Sequence, residues 1–381
     1  MKPVIAVYQR GVMPYRRPFF ELAAAALEKE GIDLTVMSAD QPTAQPDLDL
    51  VHETGKPRYI ELGSRFRRSV AGRDIVEQLV VPRDLWRALR ETDPALIVTE
   101  DLSALPGNLQ IPLFTLTKRR PYLIWTLGPA ILGKRRSSFR SFATPIIAAL
   151  RRPAAGFICY SRWAAEQMER AYGKPCFVAP NATVGRPAAI DLGSLPRSDG
   201  NSIRAIFIGR LTAQKNLQLL LEAAKLSTTR VEIDVIGDGE ERPALERLAS
   251  ELQIVDRVRF HGDIRDPDRK AALIDRAHVG VMPGLGGLFV QEVQARGCPV
   301  IATAADGTEQ DLVRAVNPEL YLEQPDAKRI ADTLSALASD PNRLFDARTA
   351  AFSAVRDDYN LERMVEGWVK GALWGLQSGK R

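Results

Sequence analysis

The sequence predicts an α/β protein of two Rossmann-like parallel-sheet domains. Three observations point there. Short apolar runs alternate with amphipathic stretches from one end of the chain to the other. The alternation breaks at residue 185 and restarts after residue 200. At 381 residues, 45% hydrophobic and 26% charged, the chain is long enough and ordinary enough in composition to bury two cores.

Taken in order, Val4–Tyr8, Leu34–Met37, Ala95–Thr99, Tyr122–Trp125 and Gly156–Tyr160 read as buried strands, with helical patterns over Phe19–Glu28 and Arg83–Arg90 between them. The second series reads Arg204–Ile208, Val231–Ile236, Arg257–Phe260, Val279–Met282 and Pro299–Ala302. Gly185–Asn201 is rich in Pro, Gly, Ser and Asp and lacks an apolar period, so it is expected to be a linker. The expected domains are therefore 1–184 and 202–360. A last helix from about 361 carries Met364, Trp368, Ala372 and Trp374 and is expected to pack back on the first domain. Two such halves leave a cleft at the carboxyl ends of their strands, where open parallel sheets bind ligands.

Composition excludes several classes. No apolar run is long enough to span a bilayer, and the N-terminal residues read as a strand rather than a signal peptide. Cys159, Cys176 and Cys298 have neither metal-ligand spacing nor an even count, so reduced thiols in the cytoplasm are expected. His52, His261 and His278 are scattered. Residues 1–184 carry 26 Lys and Arg against 18 Asp and Glu, and the remainder 26 against 29, which together give the net +5. Lys118 to Arg152 holds nine basic residues and no acid. That asymmetry suggests different partners for the two halves.

Two segments of the second half carry the chemistry. In the first, a strand ends at Ile208, Gly209 lets the chain turn, Arg210 leaves the strand end, and Lys215-Asn216 opens the helix Leu217–Ala224. A guanidinium and an ammonium together suit a diphosphate, the first as a fork and the second as a point charge. In the second, Val279–Pro283 is a strand, Gly284, Gly286 and Gly287 leave the turn bare, and Leu288 begins a helix bearing Glu292. Bare backbone at a helix start favours an anion, and a carboxylate such as Glu292 can accept both hydrogen bonds of a ribose diol. Either segment alone reads as a tight turn with solvated charges; their order in one α/β domain is the stronger signal.

These motifs resemble the retaining glycosyltransferases of family four, which have the GT-B fold. Gly209–Asn216 is similar to that family's G-R-L-x-x-x-K-N, and Gly237-Asp238-Gly239 to its G-x-G before a helix. Phe260-His261-Gly262 resembles F-x-G, and Gly284–Glu292 followed by Gly297-Cys298-Pro299-Val300 resembles E-x7-E with G-x-P-V. Pro180-Asn181 and Ser161 resemble the P-N and the helix-head serine of the first domain. The resemblance implies that Arg210 and Lys215 hold the diphosphate and act catalytically on it, and that Glu292 binds ribose. It implies too that the Gly286-Gly287-Leu288-Phe289 backbone meets phosphate or sugar and that the turn from Phe260 to Ile264 flanks the base. Two departures stand out. The first Glu of E-x7-E falls on Gly284, within a Pro283–Leu288 run similar to a P-G-x-x-G-L variant. The first-domain histidine is replaced by Trp125-Thr126-Leu127-Gly128.

On the acceptor side, Gly11, Tyr15 and Arg16 follow the first strand, with the arginines expected to face out and Phe19-Phe20 in; Gly128 belongs to the same wall. Glu100 and Asp101 end another strand. Both read as acceptor positioning or proton acceptance, or, preferred, Asp101 reads as the cap of a helix from Leu102. Lys134–Arg140 with Ile146, Ile147, Leu150, Arg151 and Arg152 reads as a basic amphipathic face for anionic lipid, slightly preferred over a solvated helix face. No nucleic-acid motif accompanies it.

The expectation is therefore a metal-independent, cofactor-free glycosyltransferase. It takes a nucleotide-sugar to a lipid-linked or polysaccharide acceptor in cell-envelope or exopolysaccharide assembly, in the cytoplasm and peripheral on the inner face of the membrane. No D-x-D lies within the two donor segments Gly209–Asn216 and Gly284–Glu292. A non-catalytic sugar-nucleotide-binding subunit is the alternative, and an epimerase on the same fold ranks last.

Overall fold

The computed structural model describes residues 2–39, 55–72, 75–82, 84–101, 107–129, 138–286, 288–305 and 307–379. Two compact units emerge. One runs up to Pro180 and includes the C-terminal segment from Glu362; the other is Asn181–Leu361.

In the first unit the strands are β1 (Val4–Gln9), β2 (Asp33–Ser38), β3 (Arg58–Glu61), the hairpin β4 (Ser64–Gly72) and β5 (Ile75–Pro82), β6 (Leu96–Glu100), β7 (Tyr122–Thr126), β8 (Gly156–Cys159) and β9 (Cys176–Val178). Seven of them form one parallel sheet in the order β3-β2-β1-β6-β7-β8-β9, while β4 and β5 pair antiparallel by themselves. The helices are α1 (Arg17–Glu28), α2 (Leu85–Thr92), α3 (Gln110–Lys118), α4 (Ser138–Arg151) and α5 (Arg162–Tyr172), joined near the end of the chain by a long helix from Leu361 to Ser378. Ser161 caps α5, accepting from the Ala164 N–H at 3.0 Å.

An aromatic cluster holds the C-terminal helix in this unit. Trp368 and Trp125 are fully buried, and Phe19 lies 5.1 Å from the Trp125 ring and 5.8 Å, edge-on, from Trp368. Each such pair contributes about 0.5–1.5 kcal/mol beyond its area. Met364 and Ala372 are buried along the same helical face.

The second unit repeats the plan. Its strands are β10 (Ser202–Ile208), β11 (Arg230–Ile236), β12 (Val258–Gly262), β13 (Val279–Met282), β14 (Val300–Thr303) and β15 (Tyr321–Leu322), in the order β12-β11-β10-β13-β14-β15. Around them lie α6 (Leu217–Leu226), α7 (Arg242–Glu251), α8 (Pro267–Asp275), α9 (Leu288–Gln294), α10 (Ala327–Ser339) and α11 (Pro341–Asp357); α12 is the helix Leu361–Ser378. Counted within the unit this is the 3-2-1-4-5-6 order, whose direction reverses between β10 and β13. Phe207, Leu220, Val235, Val281, Val293 and Leu334 form the centre of its core.

The stretch 185–201, expected to be a linker, belongs to the second unit instead. Asp191 caps a short 3-10 turn over Leu192–Ser194, and Leu192 and Leu195 pack against Gly297. Its Pro and Gly content reflects an ordered turn-rich wrap rather than a spacer. Among the described residues, no helix is long and apolar enough to cross a membrane.

The βα loops of this sheet are packed backbone on backbone. The Gly237 N–H donates to the Gly262 carbonyl at 2.8 Å and the Gly209 N–H to the Ile236 carbonyl at 2.9 Å. Gly237 has φ +123°, and a Cβ there would sit 2.1 Å from the Gly209 carbonyl oxygen. Gly237→Ala is expected to cost roughly 2 kcal/mol of stability in urea unfolding, from strain plus overpacking.

Candidate functional site

The topological reversal places the carboxyl ends of β10 and β13 side by side, paired through Ala205 with Val279 and Ile206 with Gly280. Both motif segments leave the sheet there. Gly209 follows β10, and Arg210 is exposed beside it. The chain then makes a 3-10 turn over Ala213–Lys215, closing on Asn216 in the left-handed region at φ +52°. Lys215 thus ends a turn, with Asn216 between it and α6, rather than opening that helix.

The two segments touch. The Lys215 ammonium donates to the Leu285 carbonyl, the Asn216 amide donates to the Pro283 carbonyl at 3.1 Å, and the Leu285 N–H donates to the Gln214 carbonyl at 3.2 Å. Gly284 explains the missing first glutamate. A Cβ at that position would lie 2.2 Å from the Gln214 carbonyl oxygen and 2.9 Å from the Lys215 Cα. Backbone occupies the space a side chain would need, so no glutamate can stand at 284 without moving the Lys215 loop.

The turn continues through Gly286 into α9. The Phe289 N–H donates back to the Gly286 carbonyl at 3.2 Å, and the Phe289 ring is buried 6.3 Å from Phe207. Phe289 therefore spends its N–H within the turn and its side chain in the core. Leu288 starts the helix half-buried; Gly287 lies outside the described residues. Glu292, on the second turn of α9, is half-buried and paired with Lys270 of α8. Phe260 and Ile264 are half-buried against the core, with the Arg242 guanidinium 5.9 Å from the Phe260 ring centre.

Sequence reasoning missed three participants. Lys270 neutralises Glu292 from another helix, with no spacing to betray it. Asn216, which the sequence shows only as the end of the K-N motif with no role of its own, ties the two segments together. Gln291, fully buried, accepts from the Thr183 and Val184 N–H groups and donates to the Val184 and Tyr359 carbonyls, riveting α9 in place.

In the first unit, the carboxyl ends of β1 and β6 meet in the same way. The Glu100 carboxylate accepts from the Arg10 N–H at 3.3 Å, next to Gly11. Burial, with the nearby Glu100 charge, pushes the Tyr8 phenol up. Arg16 does not face out. It is buried, its guanidinium 5.4–5.9 Å from the ring centres of Tyr15, Trp125 and Tyr160 and 3.3 Å from the Met364 sulfur. Aromatic faces accept a guanidinium that water would otherwise solvate. Tyr15 is exposed beside it.

Asp101 is not an open base; the helix from Leu102 that it was expected to cap lies outside the described residues. Its carboxylate is buried against Arg151, whose Nε lies 3.1 Å from both oxygens, and the Thr126 hydroxyl donates to it at 2.6 Å. Burial lowers the Arg151 pKa, but Asp101 outweighs it and the net shift is upward. Arg151 and the buried Leu150 thus leave the proposed lipid-facing set, in which Ile146 and Arg152 remain exposed. Lys134–Arg136 of that set lie outside the described residues. Gly128 packs closely on Ala164 of α5, where a Cβ would come within 2.9 Å, so it serves packing.

Comparison with known proteins bears on the fold and the family. Residues 196–353 match the family described as glycosyl transferases group 1. A D-inositol 3-phosphate glycosyltransferase of Streptomyces griseus is 32% identical over 206 residues, covering 47% of this chain and 43% of its own. The lipopolysaccharide core biosynthesis glycosyltransferase LpsE of Rhizobium meliloti is 30% identical over 157 residues, covering 41% and 45%. The chain thus spans under half the length of these curated relatives. Anabaena Alr3699/HepE, solved in complex with UDP and also with UDP-glucose, superposes with a TM-score of 0.68 in its UDP complex, at 15% identity over 98% of this chain and 100% of that one. The chain has the GT-B fold, and its second unit matches the glycosyl transferases group 1 family.

Proposed function

We propose that this protein is a retaining, metal-independent glycosyltransferase that moves a sugar from a nucleotide-diphosphate donor to a lipid-linked or polysaccharide acceptor in cell-envelope assembly. The observation that carries the reading is the junction of the two motif segments at the reversal point of the second sheet. Arg210 and Lys215 leave one strand end, the bare glycine turn leaves the next, and the Lys215 ammonium reaches the Leu285 carbonyl of that turn. In transfer the acceptor hydroxyl oxygen bonds the anomeric carbon and gives its proton to the departing phosphate, while the anomeric C–O bond breaks and leaves both its electrons on the diphosphate. Cations already in place at that oxygen favour the transition state over the ground state. Arg210 and Lys215 supply that charge without a metal.

Glu292 takes the ribose hydroxyls in this scheme. Its Lys270 partner keeps the carboxylate compensated until the diol arrives. The relative named for lipopolysaccharide core biosynthesis supports an envelope acceptor, and the UDP complexes of the Anabaena protein support a nucleotide donor. The acceptor is held by the first unit, around Gly11, Tyr15 and Glu100. The basic 118–152 region rests on anionic lipid at the inner membrane face, in the cytoplasm.

A thermal-shift screen against UDP-, GDP- and dTDP-sugars, followed by transfer assays, tests this. One nucleotide series stabilises the protein by about 2.7 kcal/mol at a hundredfold excess over Kd, and donor turnover follows with a suitable acceptor. Tight nucleotide binding without transfer or donor hydrolysis across an acceptor panel supports a non-catalytic subunit instead. Absence of any nucleotide-dependent shift contradicts the donor site itself.

A further inference from the structure

We propose that Asn216 is a positioning residue of the donor seat. It fastens the loop carrying Lys215 to the glycine turn, so that the ammonium is in place before a diphosphate arrives. This rests on the reading of Lys215 as a diphosphate-binding cation.

A lysine side chain has four rotatable bonds, and fixing it on binding draws on affinity. The fold removes that demand by joining two segments about seventy residues apart. Asn216 sits at φ +52°, a region that asparagine tolerates better than most side chains. From there its amide reaches the Pro283 carbonyl at 3.1 Å. The adjacent Leu285 N–H returns a bond to the Gln214 carbonyl at 3.2 Å, and the Lys215 ammonium donates to the Leu285 carbonyl. Gly284 completes the fastening, because only a residue without a side chain lets the Gln214-Lys215 backbone lie against the turn. Asn216 is neutral and its amide faces a carbonyl, so it acts through Lys215. Preorganised charge of this kind gains affinity by removing ordering costs rather than by adding contacts.

The test is a titration with UDP, or GDP if the donor screen selects guanine, of wild type, Asn216→Gly, Lys215→Ala and the double variant. Glycine keeps the left-handed backbone and removes only the amide. Asn216→Gly is expected to weaken nucleotide binding about five- to tenfold while the nucleotide-free unfolding midpoint moves by less than about 2 °C. Asn216→Asp, which keeps the shape and loses the donor, should weaken binding at least as much. In the Lys215→Ala background, Asn216→Gly should change affinity less than about twofold, the non-additivity of two residues acting on one interaction.

Wild-type affinity in Asn216→Gly beside a weakened Lys215→Ala overturns the proposal and leaves the diphosphate reading standing. An equal loss in both backgrounds overturns it too, since Asn216 would then act without Lys215. A drop in midpoint above about 5 °C makes Asn216 a structural rivet and likewise overturns it. Unchanged affinity in Lys215→Ala removes the underlying reading.

Discussion

Lys215→Ala is expected to transfer sugar with kcat/KM lower by about 10²–10³-fold, the loss seen when one preorganised charge-stabilising donor is removed, or roughly 3–4 kcal/mol. The ammonium is half-buried and tied to the Leu285 carbonyl, so it is already directed at the turn where a diphosphate would sit. Arg210 is exposed, so Arg210→Ala is expected to lose less, about 10–100-fold, as for a charge-assisted hydrogen bond. The division between kcat and KM is informative. If the cations act on charge that develops as the bond breaks, kcat falls with kcat/KM and KM changes little. If they only hold the donor, KM rises and kcat stays. Steady-state kinetics with the donor found in the screen reads this directly. Lys215→Arg is not a conservative control, because a planar fork cannot replace a point charge within the same turn.

The second large effect falls on stability. Asp101→Ala is expected to cost about 3–5 kcal/mol, because it leaves the Arg151 guanidinium buried without its counter-charge. Both side chains are under 10% exposed, and the carboxylate also takes the Thr126 hydroxyl. On a unit of this size the thermal midpoint should drop by roughly 10 °C. Replacing both partners with apolar residues, Asp101→Leu with Arg151→Met, should recover most of that loss, since neither charge is then stranded. Urea unfolding of the two variants measures the difference. A general base would behave otherwise: Asp101→Asn would lose turnover and retain stability. The packing of Asp101 against Arg151 predicts the reverse emphasis.

Much of this architecture could be read before any coordinates. The strand series, the restart after residue 200 and the two motif segments follow from apolar runs, glycines and fixed cations, which are local signals. What escaped was non-local or short. The hairpin β4–β5 carries Arg67-Arg68 within its first strand, which breaks the alternation that marks a half-buried strand. With only two residues, β15 has no period to detect. From sequence, Arg16 and Arg151 read as outward because long cations seldom enter a core. Their partners come from far along the chain: Trp125, Tyr160 and Met364 for Arg16, and Asp101, fifty residues away, for Arg151. The same limit applies at the site. Gly284 was legible as a departure from the E-x7-E pattern. Its cause, the Gln214-Lys215 backbone lying where a side chain would go, depends on a contact between residues seventy apart.

A structure of the protein with bound nucleoside diphosphate tests the account most directly. Diphosphate oxygens are expected within hydrogen-bonding reach, about 3 Å, of both Lys215 and Arg210, over the Gly284–Gly286 turn, with the ribose hydroxyls on Glu292. A diphosphate seated elsewhere, with Lys215 still turned to the Leu285 carbonyl and Glu292 still held by Lys270, would contradict it.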